Sequence, residues 1–198
     1  MKRVSLFLLF TFLLAFSTLT FADEKPLSKP DVLSEETILT SQHLSGYDTI
    51  VIKDFATDGA EYSQVNDEEK AKIETMKPLL VRTISESLEM ELKNRKLFKN
   101  IVKNGDMKEN AVILEGSFTE FNAGSRALKL FVGFGAGKVF IKVKGRLIDA
   151  RTGKELALFE DRETGYRGSM TLEGFEDLFP HQAKGVGENL ANFIQKLY

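Results

Sequence analysis

The sequence of 198 residues contains no cysteine. Without cysteine the chain can form no disulfide, has no thiol nucleophile and cannot bind a metal through thiolates. Its only two histidines, His43 and His181, belong to no close Asp/Glu–His motif that gives a metal site. No serine lies in a Gly-x-Ser-x-Gly elbow. These absences predict a protein that is not an enzyme, with no catalytic residues, no metal site and no cofactor.

The chain also lacks an excess of positively or negatively charged residues. The 27 basic and 29 acidic residues give a formal net charge of -2, so the whole protein has no field that would attract nucleic acid. Hydrophobic residues make up 42% and charged residues 28%, which is typical of a globular chain and excludes general disorder. A chain of this length forms one domain or a tight pair.

The first 22 residues have the pattern of a secretory signal. Lys2 and Arg3 precede the apolar run 4–16, and small residues, Thr20 and Ala22, occupy the two positions that a signal peptidase reads. We expect cleavage after Ala22 and a periplasmic location, since a secreted chain without cysteine fits the bacterial periplasm. A membrane anchor is the alternative. The chain has no cysteine near the cleavage site that could be lipidated there.

The remaining chain is predicted to contain an arm and one domain. Residues 23–46 carry two prolines and no sustained periodicity, which predicts an arm or linker. The domain, residues 47–198, begins with a buried strand and continues with a helix over 66–95 that starts at a capping box. Alternating strands are predicted over 111–121, 128–134, 139–147 and 155–163, and Pro180 opens a final helix. Gly185 and Gly187 in that helix predict a close approach to a sheet.

This order of elements predicts an α+β fold. The expected architecture is a two-layer sandwich, in which a mixed, mostly antiparallel sheet of about five strands is packed by the long helix and the C-terminal helix.

A glycine-rich segment between two predicted strands contains Phe131 and Phe134. It lacks the residues that a Walker loop or a dinucleotide fingerprint requires, and it opens a strand rather than a helix. One interpretation is a β-turn or bulge. The other is an exposed aromatic hairpin tip that docks onto a partner or a bilayer.

Four basic residues share one face of the strand that follows: Lys138, Lys142, Lys144 and Arg146. Together with Phe131 and Phe134 they form the predicted interaction surface. A register that places Leu147 opposite Leu156 would set Lys142 opposite Asp161 and Arg146 opposite Ala157. It predicts a charge-balanced face, and an anion-binding face is the alternative.

Two stretches of the sequence resemble a known family. Residues 51–55, Val-Ile-Lys-Asp-Phe, are similar to its strand-Asp-Phe opening. Residues 124–137, followed by 139–149 and 152–156, resemble its central block. This family is domain of unknown function 4410, found on bacterial secreted proteins and lipoproteins. It is distantly similar to curli secretion-channel lipoproteins and to the N-terminal domain of TolB. The resemblance implies an envelope-located α/β domain with no known catalytic residues.

The sequence therefore predicts a secreted, periplasmic, non-catalytic binding or assembly module that acts through protein–protein contacts in the bacterial cell envelope. One alternative is a membrane-associated, pore-like oligomer in which residues 128–147 supply a β-hairpin of spanning length. Another is a cell-wall hydrolase, since two carboxylates brought together by the fold would suffice for glycoside hydrolysis.

Overall fold

Seven strands and two long helices make up the part of the chain that the computed structural model describes, residues 25–106, 109–124, 138–164 and 174–198. The strands are β1 (Glu35–Ile38), β2 (Thr49–Ile52), β3 (Glu61–Ser63), β4 (Asn100–Lys103), β5 (Ala111–Asn122), β6 (Phe140–Asp149) and β7 (Glu155–Thr164). The helices are α1 (Asp67–Asn94) and α2 (Phe175–Leu197), and a 3-10 turn covers Leu44–Gly46.

The strands form one mixed sheet in the order β1-β7-β6-β5-β2-β4. From β1 through β7 and β6 to β5, each strand runs antiparallel to the next, whereas β2 is parallel to both β5 and β4. The short β3 pairs in parallel with the far end of β5. This confirms the α+β class, but the sheet has seven strands rather than about five. Strands β1 and β3 have four residues or fewer, too few to show a period of two, and the strand predicted over 128–134 lies outside the described residues.

The arm predicted over residues 23–46 is folded back onto the domain in its described part, residues 25–46. Its strand β1 pairs with β7 from Glu35 opposite Glu160 to Ile38 opposite Ala157. The Glu36 carboxylate accepts hydrogen bonds from the backbone N–H groups of three preceding residues, at 2.7–2.8 Å. Its strand β1 is therefore part of the sheet and not of a linker.

The long helix α1 begins where its capping box predicts. The Asn66 side chain accepts a hydrogen bond from the Glu69 backbone N–H at 2.9 Å, and the Glu69 carboxylate accepts one from the Asn66 backbone N–H at 3.0 Å. The helix continues through Pro78 without a break. Its apolar stripe is fully buried against the sheet and comprises Ile73, Leu80, Ile84, Leu88 and Leu92.

The two helices run side by side in the same direction. Lys72 and Glu176 form an ion pair near their first turns, and Arg95 just after α1 donates hydrogen bonds to Asn192 and Gln195 near the end of α2. Between these points Gly187 lies against the α1 backbone. The expectation that Gly187 approaches the sheet is therefore wrong, whereas Gly185 does face Glu163 on β7.

Candidate functional site

One face of the sheet is packed by the helices, and the opposite face carries an open groove of about 690 Å³. Val143 and Leu147 of β6 are buried in the core, so the alternate side chains, Lys144 and Arg146, lie on the helix-free face. The groove crosses β1, β7, β6 and β5 and ends beside Asp54, just after β2. From β1 to the level of β2 the groove spans four inter-strand spacings, which makes it about 19 Å long.

The hairpin register on this face differs from the predicted one by one residue. A β-bulge between Leu147 and Ile148 places Leu147 opposite Ala157 rather than Leu156. Lys142 consequently lies opposite Arg162, not Asp161. The predicted charge pair is therefore wrong, because the bulge adds one unpaired residue that sequence spacing does not reveal.

The charge of Arg146 is neutralised by two glutamates. Its guanidinium lies 2.6 Å from the Glu115 carboxylate on β5 and 2.7 Å from the Glu155 carboxylate on β7. Hydrogen bonds to Glu155 and Glu115 raise the pKa of Arg146 above its already high ordinary value. The basic face is partly charge-balanced, as the sequence predicts, although these two glutamates provide the balance and Asp161 does not.

Five charged side chains of the groove form no ion pair within the described residues: Glu35, Glu36, Asp54, Lys144 and Glu160. Register places Lys144 beside Glu160 and Glu160 opposite Glu35, in a row that runs from β6 to β1. The next row contains Arg146, Leu158 and Thr37. One end of the groove is therefore acidic, and its middle carries one free ammonium.

The groove floor is formed where two glycines pair across β5 and β6. Gly116 lies opposite Gly145. A Cβ on either residue would lie 2.5 Å from a phenylalanine ring on the helix side, that of Phe55 or Phe159. These glycines let the two rings pack directly against the backbone beneath the groove.

A second polar cluster lies on the helix side of β7. Asp161 is only 4% exposed, and Asn189 of α2 donates hydrogen bonds to its carboxylate at 3.1 Å and to that of Glu163 at 2.6 Å. Burial, followed by the negative charge of Asp161, raises the pKa of Glu163. Within the described ranges, no group of three or more His, Cys, Asp or Glu residues is arranged to hold a metal ion.

The predicted interaction surface is divided by the structure. Lys144 and Arg146 line the groove, whereas Lys138 and Lys142 do not. Phe131 and Phe134, with the rest of the glycine-rich segment, lie outside the described residues. Sequence reasoning missed Glu35 and its partner Glu160, because β1 was assigned to a linker and nothing local indicates its pairing with β7.

No helix in the described part of the chain is long and apolar enough to cross a membrane.

Comparison with known proteins places the chain in a family. It is similar to PelC from Paraburkholderia phytofirmans, solved as a dodecamer, with 12% identity over 80% of this chain and 94% of that one and a TM-score of 0.46. It is also similar to protein XCC0632 from Xanthomonas campestris, with 10% identity over 79% of this chain and 87% of that one and a TM-score of 0.49. No curated protein matches the chain. Residues 50–169 match the model of the family described as Domain of unknown function (DUF4410), as the resemblance implied, and the chain belongs to this family.

Proposed function

We propose that the protein is an exported, non-catalytic binding or assembly module of the bacterial cell envelope that holds a segment of a partner protein in its groove. The observation that carries this proposal is the groove itself, which crosses four strands on the helix-free face and contains charged side chains without partners among the described residues. Export is supported by the secretory pattern of residues 1–22.

The shape and lining of the groove favour a polypeptide over a small molecule. Small-molecule pockets are concave and enclosed, with only a few polar groups. This groove is open to solvent and carries three basic and five acidic side chains, Lys53, Lys144, Arg146, Glu35, Glu36, Asp54, Glu115 and Glu160. Its length of about 19 Å matches about six residues of extended chain, at about 3.3 Å each.

Site-specific photo-crosslinking in bacterial cells tests the groove as a contact surface. Thr37 lies on β1, is exposed and lines the groove, so p-benzoylphenylalanine at this position samples the proposed occupant. Arg82, on the outer face of α1 with 65% of its side chain exposed, is the matched control position. We expect an adduct with one other protein from position 37 and none from position 82. Equal adducts from both positions, or none from position 37, would contradict the proposal.

Export and the absence of catalysis have their own tests. N-terminal sequencing of the protein from a periplasmic fraction is expected to begin at Asp23, and a chain that keeps Met1 there would refute cleavage. Purified protein is expected to release no soluble fragments from peptidoglycan. Robust turnover would replace the binding function with the hydrolase alternative.

A further inference from the structure

Two acidic side chains oppose each other at the β1 end of the groove. Glu35 and Glu160 are directly paired in the antiparallel register of β1 and β7, and both are exposed on the helix-free face. Side chains in such pairs have Cβ atoms about 4.5–5.5 Å apart, and like charges there are destabilising. Within the described residues, neither carboxylate takes part in an ion pair.

The cations around this pair do not neutralise it. Arg146 is held by Glu115 and Glu155, and the Lys53 ammonium donates a hydrogen bond to the Gly105 carbonyl at 2.8 Å and lies 3.3 Å from Asp106. Lys144 is next to Glu160 in the register but makes no ion pair with it, and Arg162, two residues after Glu160 on β7, places its guanidinium over the Phe140 ring. The lining carries five acidic and three basic groups, so the groove as a whole is negative.

We propose that Glu35 and Glu160 bind a lysine or arginine side chain of an extended partner segment that lies in the groove. This inference rests on the proposed function and names the chemistry of its partner. A bound cation between the two carboxylates removes their repulsion and adds charge-assisted hydrogen bonds. Leu158 and Thr37, in the neighbouring row, provide a surface for the aliphatic part of that side chain.

Lys144, at the other end of the row, offers the bound segment a second contact. Lys144 is exposed and has no ion pair within the described residues, so its ammonium is free to bind a carbonyl or a carboxylate of the occupant. The distance from Glu35 on β1 to Lys144 on β6 is two inter-strand spacings, about 9.6 Å. A basic residue at Glu35 and Glu160 therefore places the backbone about three residues along the segment, in either chain direction, at Lys144.

The test repeats the photo-crosslinking at position 37 in the E35Q/E160Q variant of the full-length protein. The matched control is E61Q/E86Q. It also removes two negative charges, from exposed positions that do not line the groove. We expect adduct yield to fall at least tenfold in E35Q/E160Q and less than twofold in E61Q/E86Q. Mass spectrometry of the adduct should identify a partner segment with a lysine or arginine within six residues of the attachment point.

The segment so identified is then synthesised and its binding to purified protein measured by fluorescence anisotropy. Replacing its basic residue by norleucine should weaken binding at least tenfold to the wild type and less than twofold to E35Q/E160Q. Because the variant removes a repulsion, its melting temperature should be no lower than that of the wild type, so lost binding does not reflect misfolding.

The outcomes separate this inference from the proposed function. A heterologous adduct that persists in E35Q/E160Q, or whose segment has no basic residue, overturns the charge recognition and leaves the groove as a contact surface. An adduct with a second copy of this chain also overturns the inference and favours the oligomer. No adduct from position 37 overturns both proposals.

Discussion

Replacing Gly187 by alanine tests how closely α1 and α2 approach each other. A Cβ at this position would lie 2.7 Å from the Ser87 Cβ, 2.8 Å from the Ile84 carbonyl oxygen and 2.9 Å from the Leu88 backbone nitrogen. Two of these three atoms belong to the α1 backbone, so a side-chain rotation cannot relieve the overlap and the helices must separate. Overpacking of this kind costs roughly 1–3 kcal/mol.

The same substitution also removes a flexible residue from a helix, which stabilises the folded state by about 1 kcal/mol. Gly185→Ala separates the two effects because it lies in the same helix and has the same gain in helix propensity. There a Cβ would meet only the carboxyl end of the Glu163 side chain, at 3.1–3.3 Å, and that end can move. The difference between the two variants is thus the steric cost alone, about 1–3 kcal/mol in favour of G185A.

Urea denaturation followed by circular dichroism at 222 nm measures this difference. With an m value of about 2 kcal/mol per molar, a difference of about 2 kcal/mol separates the two midpoints by about 1 M. The G185A midpoint should lie at or above that of the wild type, and the G187A midpoint should lie below G185A. Equal midpoints for the two variants would refute the close contact between Gly187 and α1.

Three further predictions concern the helix cap and the two acidic pairs. Asn66→Ala should lower the free energy of unfolding by about 0.5–2 kcal/mol, measured in urea, because it removes half of the α1 capping box; no change would show that the cap is replaced by solvent. Glu163 has a pKa raised above its ordinary 4.5 by burial and by Asp161, so its contribution to stability is present below pH 4.5 and is lost as pH rises through the folded-state pKa. Glu163→Gln should therefore melt higher than the wild type at pH 7.5, with a smaller difference at pH 4, and a constant difference would contradict the raised pKa. Glu160→Gln should raise the free energy of unfolding by about 0.2–1 kcal/mol by removing the repulsion from Glu35, and a loss of stability would indicate that Glu160 has a stabilising partner.

The local patterns of the sequence predict the helices well. The four-residue spacing of Leu80, Ile84, Leu88 and Leu92 predicts the buried stripe of α1, and the capping box at Asn66 marks its first turn. Both signals depend on residues within a turn or two of each other, so they hold whatever the helix packs against. Long strands with alternating residues, such as β5 and β6, can be predicted from the sequence for the same reason.

The candidate site could be predicted only in part. Lys144 and Arg146 are visible as alternating basic residues of a strand, and both line the groove. The acidic pair at the β1 end of the groove cannot be predicted in this way. Glu35 and Glu160 are 125 positions apart, and a four-residue strand with no clear alternation gives no indication that it pairs with β7. A bulge between Leu147 and Ile148 also shifts the register of β6 and β7. This register decides which charged side chains lie opposite each other.

The sequence by itself determined the α+β class, the two amphipathic helices, the alternating strands and the family, because each follows from the order and spacing of neighbouring residues. Only the tertiary structure decided which distant residues meet. In that structure Glu35 lies opposite Glu160, and Asp161 is buried on the helix side of β7 instead of lying opposite Lys142. Gly187 contacts α1 instead of the sheet. Pairings of this kind arise when the whole chain packs its apolar faces together, and no local period encodes them.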